Sequence, residues 1–450
     1  MAHDSAAAVE DHPAPSLSVL DAAAITIGVV VGIGIFKTPA MVAGSAGSEA
    51  AFYLLWLAGG AISLVGALCY AELAAANPNA GGEYQFLSRA FGRNLGFLFA
   101  WGRITVIQTG AIAAVAFVFG DYVSQLLPLG AYGASLYAVL AVAALTAVNM
   151  RGVTGGRWIQ LVFTAATVLA LAAIVLAAMI HGPGDAAPSA PAHPAGAIGL
   201  AMIFVLLTYG GWNEAAYLSA EVRDVQRNMV RFLALGIGVI TALYLLLNFA
   251  YVQVLGLPAM RGSDVVAADL MRQTFGPGSA VLLSLVIAVA AVSTLNATIF
   301  TGARTSYAVG RDFPGLGFLG HWNGGGRTPS RALLVQGLVA VLLVVLGTFT
   351  RSGFVTMVEF TAPVFWLFFL LSGVSLFVLR AREPGRRLPF RVPLYPVTPL
   401  VFCATCAYML YASLAYTGVG ALFGAGVLAA GVPVLLWLRR RNGAAEARPT

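Results

Sequence analysis

The chain has 450 residues, of which 59% are hydrophobic and only 10% are charged. A soluble globular domain is about half apolar and about a quarter charged, so this composition excludes that class and indicates a polytopic membrane protein. The formal net charge is +7, but the basic residues are spread over many short loops, which argues against a nucleic-acid partner.

Long apolar segments follow one another along almost the whole chain. Each membrane-spanning helix needs about 20 apolar residues, and on that rule the sequence predicts twelve spans in an all-α protein. The predicted spans are residues 18–43, 49–76, 95–127, 131–149, 157–181, 197–220, 231–256, 278–310, 331–350, 353–380, 396–416 and 419–438.

The basic residues predict the orientation of these spans. Four of the 25 Lys and Arg residues fall on one side of the predicted membrane, and all the others fall on the opposite side. The positive-inside rule then places both termini in the cytoplasm and the protein in the cytoplasmic membrane. Residues 1–16 contain no Lys or Arg, so they lack the basic front end of a cleaved signal peptide. The four outer basic residues are Lys37, Arg261, Arg272 and Arg351.

Within the first span, Gly32 and Gly34 are separated by a single residue. Each weakens a helix by about 1 kcal/mol relative to alanine. In lipid, an interrupted backbone is tolerated only where it is buried in protein or lines a cavity. We therefore expect the helix to unwind here and to resume near Ile35, with its freed amides facing an anionic group. The alternative is that these glycines only allow close helix packing.

The sixth span carries a second interruption, where Gly210 and Gly211 are followed by Asn213 and Glu214. A charged side chain at membrane depth costs at least about 2.5–3.5 kcal/mol on insertion scales, so this pattern indicates a cavity. Interrupted segments at matching positions of two five-helix halves are the sequence signature of a transporter built from inverted repeats.

Two charged residues lie close to these breaks. Lys37 follows the first break near the positive end of its half-helix, so it either snorkels outward or helps attract a carboxylate from outside. Glu214 starts the inner half-helix of the sixth span, where it either accepts freed amide hydrogen bonds or exchanges a proton during transport. A sodium ion held by Ser293, Thr294 and carbonyls of the first break is the competing coupling device.

The segment 83–91 and the three cysteines each have a structural interpretation as well as a functional one. Residues 83–91 are too short to span and are amphipathic, which predicts a helix along the cytoplasmic face that serves as an interfacial element or as a gate. The three cysteines, Cys69, Cys403 and Cys406, all fall in apolar segments. Although the last two have redox spacing, their place inside a predicted span favours a structural role.

An enzyme or a channel fits the sequence poorly. A membrane enzyme would need paired acids or histidine ligands at the membrane face, but none of the five histidines lies mid-span and there is no HExxH motif. A channel would need a repeated filter element or rings of charge, and neither is visible. No cofactor and no definite metal site are therefore expected.

Six short motifs run in a fixed order over nearly the whole chain, and together they are highly specific. They are Gly32-Ile33-Gly34-Ile35-Phe36, Tyr70-Ala71-Glu72-Leu73, Gly81-Gly82-Glu83-Tyr84, Tyr209-Gly210-Gly211-Trp212-Asn213, Ser306-Tyr307-Ala308 with Gly310-Arg311-Asp312, and Arg327-Thr328-Pro329. Through them the chain resembles the amino acid–polyamine–organocation superfamily, most closely its bacterial L-type-like amino acid permeases.

This resemblance implies a leucine-transporter-like fold with five helices, five inverted helices and two more, in which helices 1 and 6 are broken. The implied layout is a cytoplasmic tail 1–17, a first repeat 18–181, an external connection 182–196, a second repeat 197–381, two additional helices 382–438 and a basic cytoplasmic tail 439–450.

The resemblance also implies a substrate site at the two breaks. The backbone of the first break would hold the substrate carboxylate, and carbonyls of the second would hold its amino group, in agreement with the preference of helix ends for opposite charges. The implied substrate-binding residues are Val30, Gly32, Ile33, Gly34, Leu207, Thr208, Tyr209, Gly210 and Gly211.

By the same resemblance, the function is secondary active transport of L-α-amino acids, with small or medium neutral ones favoured by the scarcity of charge. The alternative is a carrier of cationic amino acids or polyamines. The sequence departs from the family where Leu207 replaces an aromatic gate and Thr167 replaces a lysine of span five. Val225 and Val230 also replace prolines of the family. The coupling ion is therefore left open between a proton and sodium, with Glu214, Lys37, Thr167, Ser293 and Thr294 as candidate residues.

Overall fold

The computed structural model describes residues 18–76, 82–152, 157–182, 197–213, 222–322, 328–350 and 352–446. Within these ranges the chain folds as a bundle of α-helices and forms no extended β-strand. Purely helical structure is expected of a chain in lipid, because a helix satisfies its backbone hydrogen bonds within one segment.

The helices before the Pro- and Ala-rich connection follow the predicted spans, with the first span divided in two. They are α1 (Val19–Val30), α2 (Thr38–Ser45), α3 (Glu49–Ala76), α4 (Glu83–Phe91), α5 (Arg93–Gly102), α6 (Gln108–Ser124), α7 (Gly133–Met150) and α8 (Arg157–His181).

The helices after that connection include two of more than 35 residues. They are α9 (Ala197–Thr208), α10 (Val225–Arg261), α11 (Val266–Phe275), α12 (Pro277–Asp312), α13 (Ser330–Thr348), α14 (Gly353–Arg382), α15 (Val397–Ala415), α16 (Val419–Ala429) and α17 (Gly431–Glu446).

The lengths and hydropathy of these helices make the protein a polytopic membrane protein. Nine helical segments of the described residues are long and apolar enough to cross a membrane. Three shorter apolar helices accompany them, Val19–Val30, Thr167–His181 and Ile198–Thr208. Two of these three end at the breaks predicted from the glycines, which is why neither reaches full spanning length on its own.

Helix α6 occupies the middle of the bundle, where it packs against α7, α12, α13 and α14. Polar side chains hold α12 to its neighbours. Gln108 donates to the Thr298 carbonyl at 2.7 Å, and Asn149 donates to the Asn296 amide oxygen at 2.7 Å. Because lipid provides no hydrophobic drive between helices, such interhelical hydrogen bonds help to fix their register.

A π-helical turn, Arg103–Ile107, joins α5 to α6. Insertions of this kind in an α-helix redirect its side chains and often occur near functional sites. Arg103, the first residue of this turn, lies 3.4 Å from Glu83, the first residue of α4. Glu83 also accepts a hydrogen bond from Asn213 at 3.1 Å, so the amphipathic helix predicted at 83–91 is tied to the segment after the second break.

A buried carboxylate joins α3, α14 and the loop that follows α14. Glu72 is 2% exposed and accepts hydrogen bonds from Arg380 Nε at 2.6 Å, from Arg380 Nη2 at 2.5 Å and from the Val392 amide at 2.6 Å. A more exposed pair of bonds lies beside it, where Arg386 and Arg89 bind Glu383 at 2.6 and 2.7 Å. These two cations hold the pKa of Glu383 below its usual range, with Arg386 the larger contributor.

The three cysteines lie where the sequence placed them. Cys69 is buried in α3, and Cys403 and Cys406 lie in α15, with all three present as free thiols. Their position within apolar helices agrees with the structural role expected for them.

Candidate functional site at the two helix breaks

The first helix ends at Val30, two residues before Gly32. Val31 and Gly32 are extended, with φ/ψ of −72/90° and −115/−167°. The chain then makes a single 3-10 turn, Ile33–Phe36, and α2 begins at Thr38. The predicted unwinding is confirmed, although helical structure resumes in a 3-10 turn before Ile35 and α-helical structure only after Lys37.

The second break starts after Thr208, where α9 ends. The Gly210 amide donates to the Leu207 carbonyl at 3.0 Å, and Gly211 has a positive φ of 107°. A side chain is strained in that conformation, so glycine is required there. A Cβ at Gly211 would also lie 3.1 Å from the Val29 carbonyl oxygen of α1, which shows how closely the two breaks approach each other.

A pair of hydroxyl groups joins the two breaks. Thr38 Oγ1 and Thr208 Oγ1 are 2.6 Å apart, and both side chains are buried. Each of these hydroxyls also lies within hydrogen-bond distance of a carbonyl on its own segment, at Gly34 and Phe204. Gly34 itself faces Thr208, because a Cβ built on it would lie 3.4 Å from the Thr208 methyl group.

Tyr244 of α10 connects the carboxyl-terminal ends of α1 and α9. Its hydroxyl lies 3.1 Å from the Val30 carbonyl and 3.1 Å from the Thr208 carbonyl, and the side chain is fully buried. A phenol has one proton to donate, so these two electronegative helix ends share a single donor. The sequence offers no signal for this role, because Tyr244 is one aromatic residue within a long apolar run.

We expect Tyr244→Phe to lower the thermal stability of the substrate-free protein and to weaken substrate binding. The substitution leaves at least one buried carbonyl without its donor, which costs about 1–3 kcal/mol. Tyr251→Phe is the matched control on the same helix, since its hydroxyl is 3.5 Å from the Ile35 carbonyl and bonds it only weakly. Differential scanning fluorimetry of both purified variants checks the prediction, and equal shifts in the two would contradict it.

A cavity of about 600 Å³ lies beside the end of α1. Val31 of the first break lines it, together with three residues that the sequence singled out for coupling, Thr167 of α8 and Ser293 and Thr294 of α12. Its other lining residues are apolar. The structure thus places Thr167, Ser293 and Thr294, from two distant segments, around one cavity that α1 and Val31 also line.

A smaller cavity, of about 110 Å³, lies between α6, α9 and α14. Leu207 lines it, and so do Ile107 and Gly110 near the start of α6 and Thr361 and Trp366 of α14. Leu207 therefore faces α6 and α14, whereas its neighbour Thr208 faces the first break. None of the lining residues carries a charge.

The remaining site residues have separate surroundings. Ile33 is buried, and the Tyr209 hydroxyl donates to the Trp56 carbonyl at 3.0 Å, away from the first break. Glu214 lies outside the described residues. Among the residues that are described, no group of three or more His, Cys, Asp or Glu side chains could hold a metal ion.

Of the two alternatives for Lys37, outward snorkelling is wrong. Its side chain is 2% exposed and its ammonium lies 2.7 Å from Asp121 Oδ2, 2.7 Å from the Asp264 carbonyl and 3.4 Å from Asp264 Oδ1. Three oxygen partners for three N–H donors explain why a cation is tolerated at the start of a helix, where the dipole disfavours it.

A broken first helix that meets the end of α9 inside a polytopic helical bundle is an arrangement typical of membrane transporters with discontinuous helices. Comparison with known proteins agrees with that class. Residues 17–436 match the family model described as amino acid permease, so the chain belongs to the amino acid permease family of the amino acid–polyamine–organocation superfamily.

Curated relatives of the chain are amino acid transporters from mammals. The mouse b(0,+)-type amino acid transporter 1 is 29% identical over 408 residues, which cover 88% of this chain and 82% of the relative. The mouse large neutral amino acids transporter small subunit 2 is 29% identical over 435 residues, covering 93% of this chain and 80% of the relative. The human form of the latter is also 29% identical over 435 residues, with 93% and 79% covered.

Proposed function

We propose that the protein is a secondary active transporter of L-α-amino acids, preferring small or medium neutral ones, that works by alternating access in the cytoplasmic membrane. In this proposal twelve spans form five helices and five inverted helices plus two more, and both termini are cytoplasmic. The observation that carries the proposal is the meeting of the two helix breaks through Thr38, Thr208 and Tyr244.

The breaks offer complementary partners for the two charged groups of an amino acid. The first amides of a helix have no acceptor within it, so the turn after Gly32 supports binding of a carboxylate. The carbonyls at the end of α9 support binding of the ammonium group. The Leu207 and Thr208 carbonyls each already have one donor, but a carbonyl oxygen accepts two hydrogen bonds and retains capacity for the substrate.

The small cavity beside Leu207 supports a preference for neutral substrates. It adjoins the second break, and none of the residues that line it is charged, so a cationic side chain entering it would lose its hydration without gaining a partner. The name of one relative, which refers to large neutral amino acids, is in line with this proposal. Transport of cationic amino acids or polyamines is the alternative.

For the coupling ion, the two candidates from the sequence lead to different experiments. Sodium would use the Ser293 and Thr294 hydroxyls and the carbonyl end of α1, because oxygen ligands and helix carboxyl ends suit this ion. A proton would use Glu214. Under the proton hypothesis Glu214→Gln abolishes uptake driven by an inward pH gradient and preserves exchange at equal pH. Under the sodium hypothesis uptake by the unaltered protein follows the sodium gradient and ignores pH.

Counterflow uptake in proteoliposomes tests the proposed function. Vesicles loaded with unlabelled substrate are expected to accumulate labelled alanine, and external neutral L-amino acids are expected to compete with it. Putrescine is the control competitor, since it has no carboxylate for the amides of the first break. Transport restricted to compounds without an α-carboxylate would contradict the proposal and support the polyamine alternative.

A further inference from the structure

The cluster of Lys37, Asp121 and Asp264 links three elements that are distant in sequence. Lys37 is the residue before α2, Asp121 lies in the last turns of α6, and Asp264 lies in the short connection between α10 and α11. Tyr122, next to Asp121, donates to the Phe36 carbonyl at 2.7 Å and adds a second tie between α6 and the segment that precedes α2.

The opposite end of α2 is held by Arg261, the last residue of α10. Arg261 Nε donates to the Ala43 carbonyl at 2.9 Å, and its Nη2 donates to the Ala46 carbonyl at 3.0 Å. A guanidinium at the carboxyl end of a helix is favoured by the dipole and satisfies carbonyls that have no partner within the helix. Both ends of α2 are therefore attached to one short segment, residues 261–264. Asp264 binds Lys37 before α2, and Arg261 binds the carbonyls at the end of α2.

The two carboxylates of the cluster differ greatly in exposure. Asp121 is 21% exposed and its partner Lys37 is 2% exposed, so this pair is shielded from water. The Asp264 side chain is 83% exposed. Separating Lys37 from Asp121 would leave a buried charge unpaired, which is costly. The Asp264 carboxylate, 3.4 Å from the ammonium, can leave Lys37 and become fully hydrated, whereas the Asp264 carbonyl accepts a closer bond from Lys37 at 2.7 Å. Within the cluster, the Lys37–Asp121 pair is therefore hard to separate, and the contact of the Asp264 carboxylate with Lys37 is easily broken.

All of these residues lie at the ends of spans on the side that the positive-inside rule assigns to the exterior. The 600 Å³ cavity, in contrast, is lined by α1, which precedes the break, and not by α2. Alternating access moves one part of the helix bundle against another around the substrate site. The contacts that Lys37 and Arg261 make oppose a movement that separates α2 from the end of α10 and the connection to α11.

We propose that Lys37, Asp121, Asp264 and Arg261 form an outer latch that holds α2, paired with α6, against the end of α10 and the connection to α11, and that biases the transporter toward the state closed on the outside. The Lys37–Asp121 pair keeps α2 with α6, and the contacts of α2 with Arg261 and Asp264 are the ones that break when the outer side opens. This inference rests on the proposed transport function for its sidedness, but the contacts that form the latch do not depend on the identity of the substrate.

The latch is tested by the labelling rate of a buried reporter. Ala40 of α2 is 1% exposed, so Ala40→Cys in a background with the three native cysteines replaced by alanine reports opening on the outer side. In sealed vesicles, a membrane-impermeant maleimide is expected to label this reporter roughly two- to fivefold faster after Asp264→Asn, the range for loss of one exposed ion pair. Glu49→Gln, another exposed carboxylate, is the matched control and leaves the rate unchanged.

A second variant tests the same latch without leaving a charge buried alone. Lys37→Met combined with Asp121→Asn removes both members of the shielded pair and is expected to increase labelling at least as much as Asp264→Asn. It is also expected to lower the substrate concentration for half-maximal uptake from outside, because more molecules are open there. If Lys37 instead attracted the substrate carboxylate, that concentration would rise.

Unchanged labelling in both variants, or a rise in the external substrate concentration for half-maximal uptake, would overturn the latch. Labelling needs no substrate, so its result is independent of the counterflow experiment. A wild-type protein that carries no amino acid but labels faster after Asp264→Asn would keep the latch and contradict the proposed function.

Discussion

Gly34→Leu is expected to abolish amino acid binding while leaving insertion and the helical fold intact. A Cβ at this position already lies 3.4–3.5 Å from three atoms of Thr208, so the longer leucine side chain must displace Thr208 or fill the space between the two breaks. The substitution also removes backbone freedom that the unwound segment uses. We expect no saturable binding of alanine by isothermal titration calorimetry, with the circular dichroism spectrum unchanged.

Gly44→Leu is the matched control for that change, because a Cβ at Gly44 in the same half-helix meets no atom within 4 Å. It makes the same glycine-to-leucine replacement in open space and is expected to retain binding. Gly34→Ala is expected to be intermediate, since its single methyl group only just touches Thr208. Normal alanine affinity in the purified Gly34→Leu protein would show that the space between the breaks is not the binding site.

Glu72→Gln is expected to lower the free energy of unfolding more than either Tyr244→Phe or Gly34→Leu. The carboxylate is buried, and it binds the Arg380 guanidinium through two hydrogen bonds and the Val392 amide through a third. Removing one member of such a pair costs about 3–5 kcal/mol in buried sites, and the partial exposure of Arg380, 21%, places the expected loss near the lower end. Thermal unfolding in detergent monitored by intrinsic tryptophan fluorescence measures the effect.

Glu383→Gln separates this burial effect from a general effect of charge. Glu383 also binds two arginines at short distance, but it is one-third exposed, and exposed ion pairs contribute little. We expect the midpoint temperature of unfolding of the Glu383→Gln variant to stay close to that of the unaltered protein. If Glu72→Gln and Glu383→Gln lowered the free energy of unfolding equally, burial would not be the reason that the Glu72 pair is stabilising.

The helix breaks could be predicted from the sequence because their cause is local. Paired glycines in an apolar segment weaken the helix wherever the chain runs, and Gly211 adopts a backbone conformation that only glycine adopts without strain. The amphipathic helix 83–91 was predictable for the same reason, since its period lies within nine residues. Apolar length likewise indicated the spanning segments.

Contacts between distant segments account for what the sequence did not reveal. Tyr244 and Thr38 bridge the breaks only because α10 and α2 pack there. The residues next to them in the sequence give no indication that either side chain makes a buried hydrogen bond. The burial of Lys37 could not be predicted because its acidic partners are 84 and 227 residues away, and without them a lysine beside a helix start turns toward water. The placement of Thr167 with Ser293 around one cavity likewise depends on packing.

The central claim of the proposed function is that the backbone amides after Gly32 bind the carboxylate of the substrate. Calorimetric titration of the purified protein with L-alanine and, separately, with L-alaninamide tests this most directly, because the two ligands share the α-ammonium group and the side chain and differ only at the carboxyl group. Charge-assisted hydrogen bonds contribute about 1.5–3 kcal/mol each, so we expect alanine to bind and alaninamide to bind at least about tenfold more weakly. Equal affinity for the two ligands would contradict a carboxylate site at the first break.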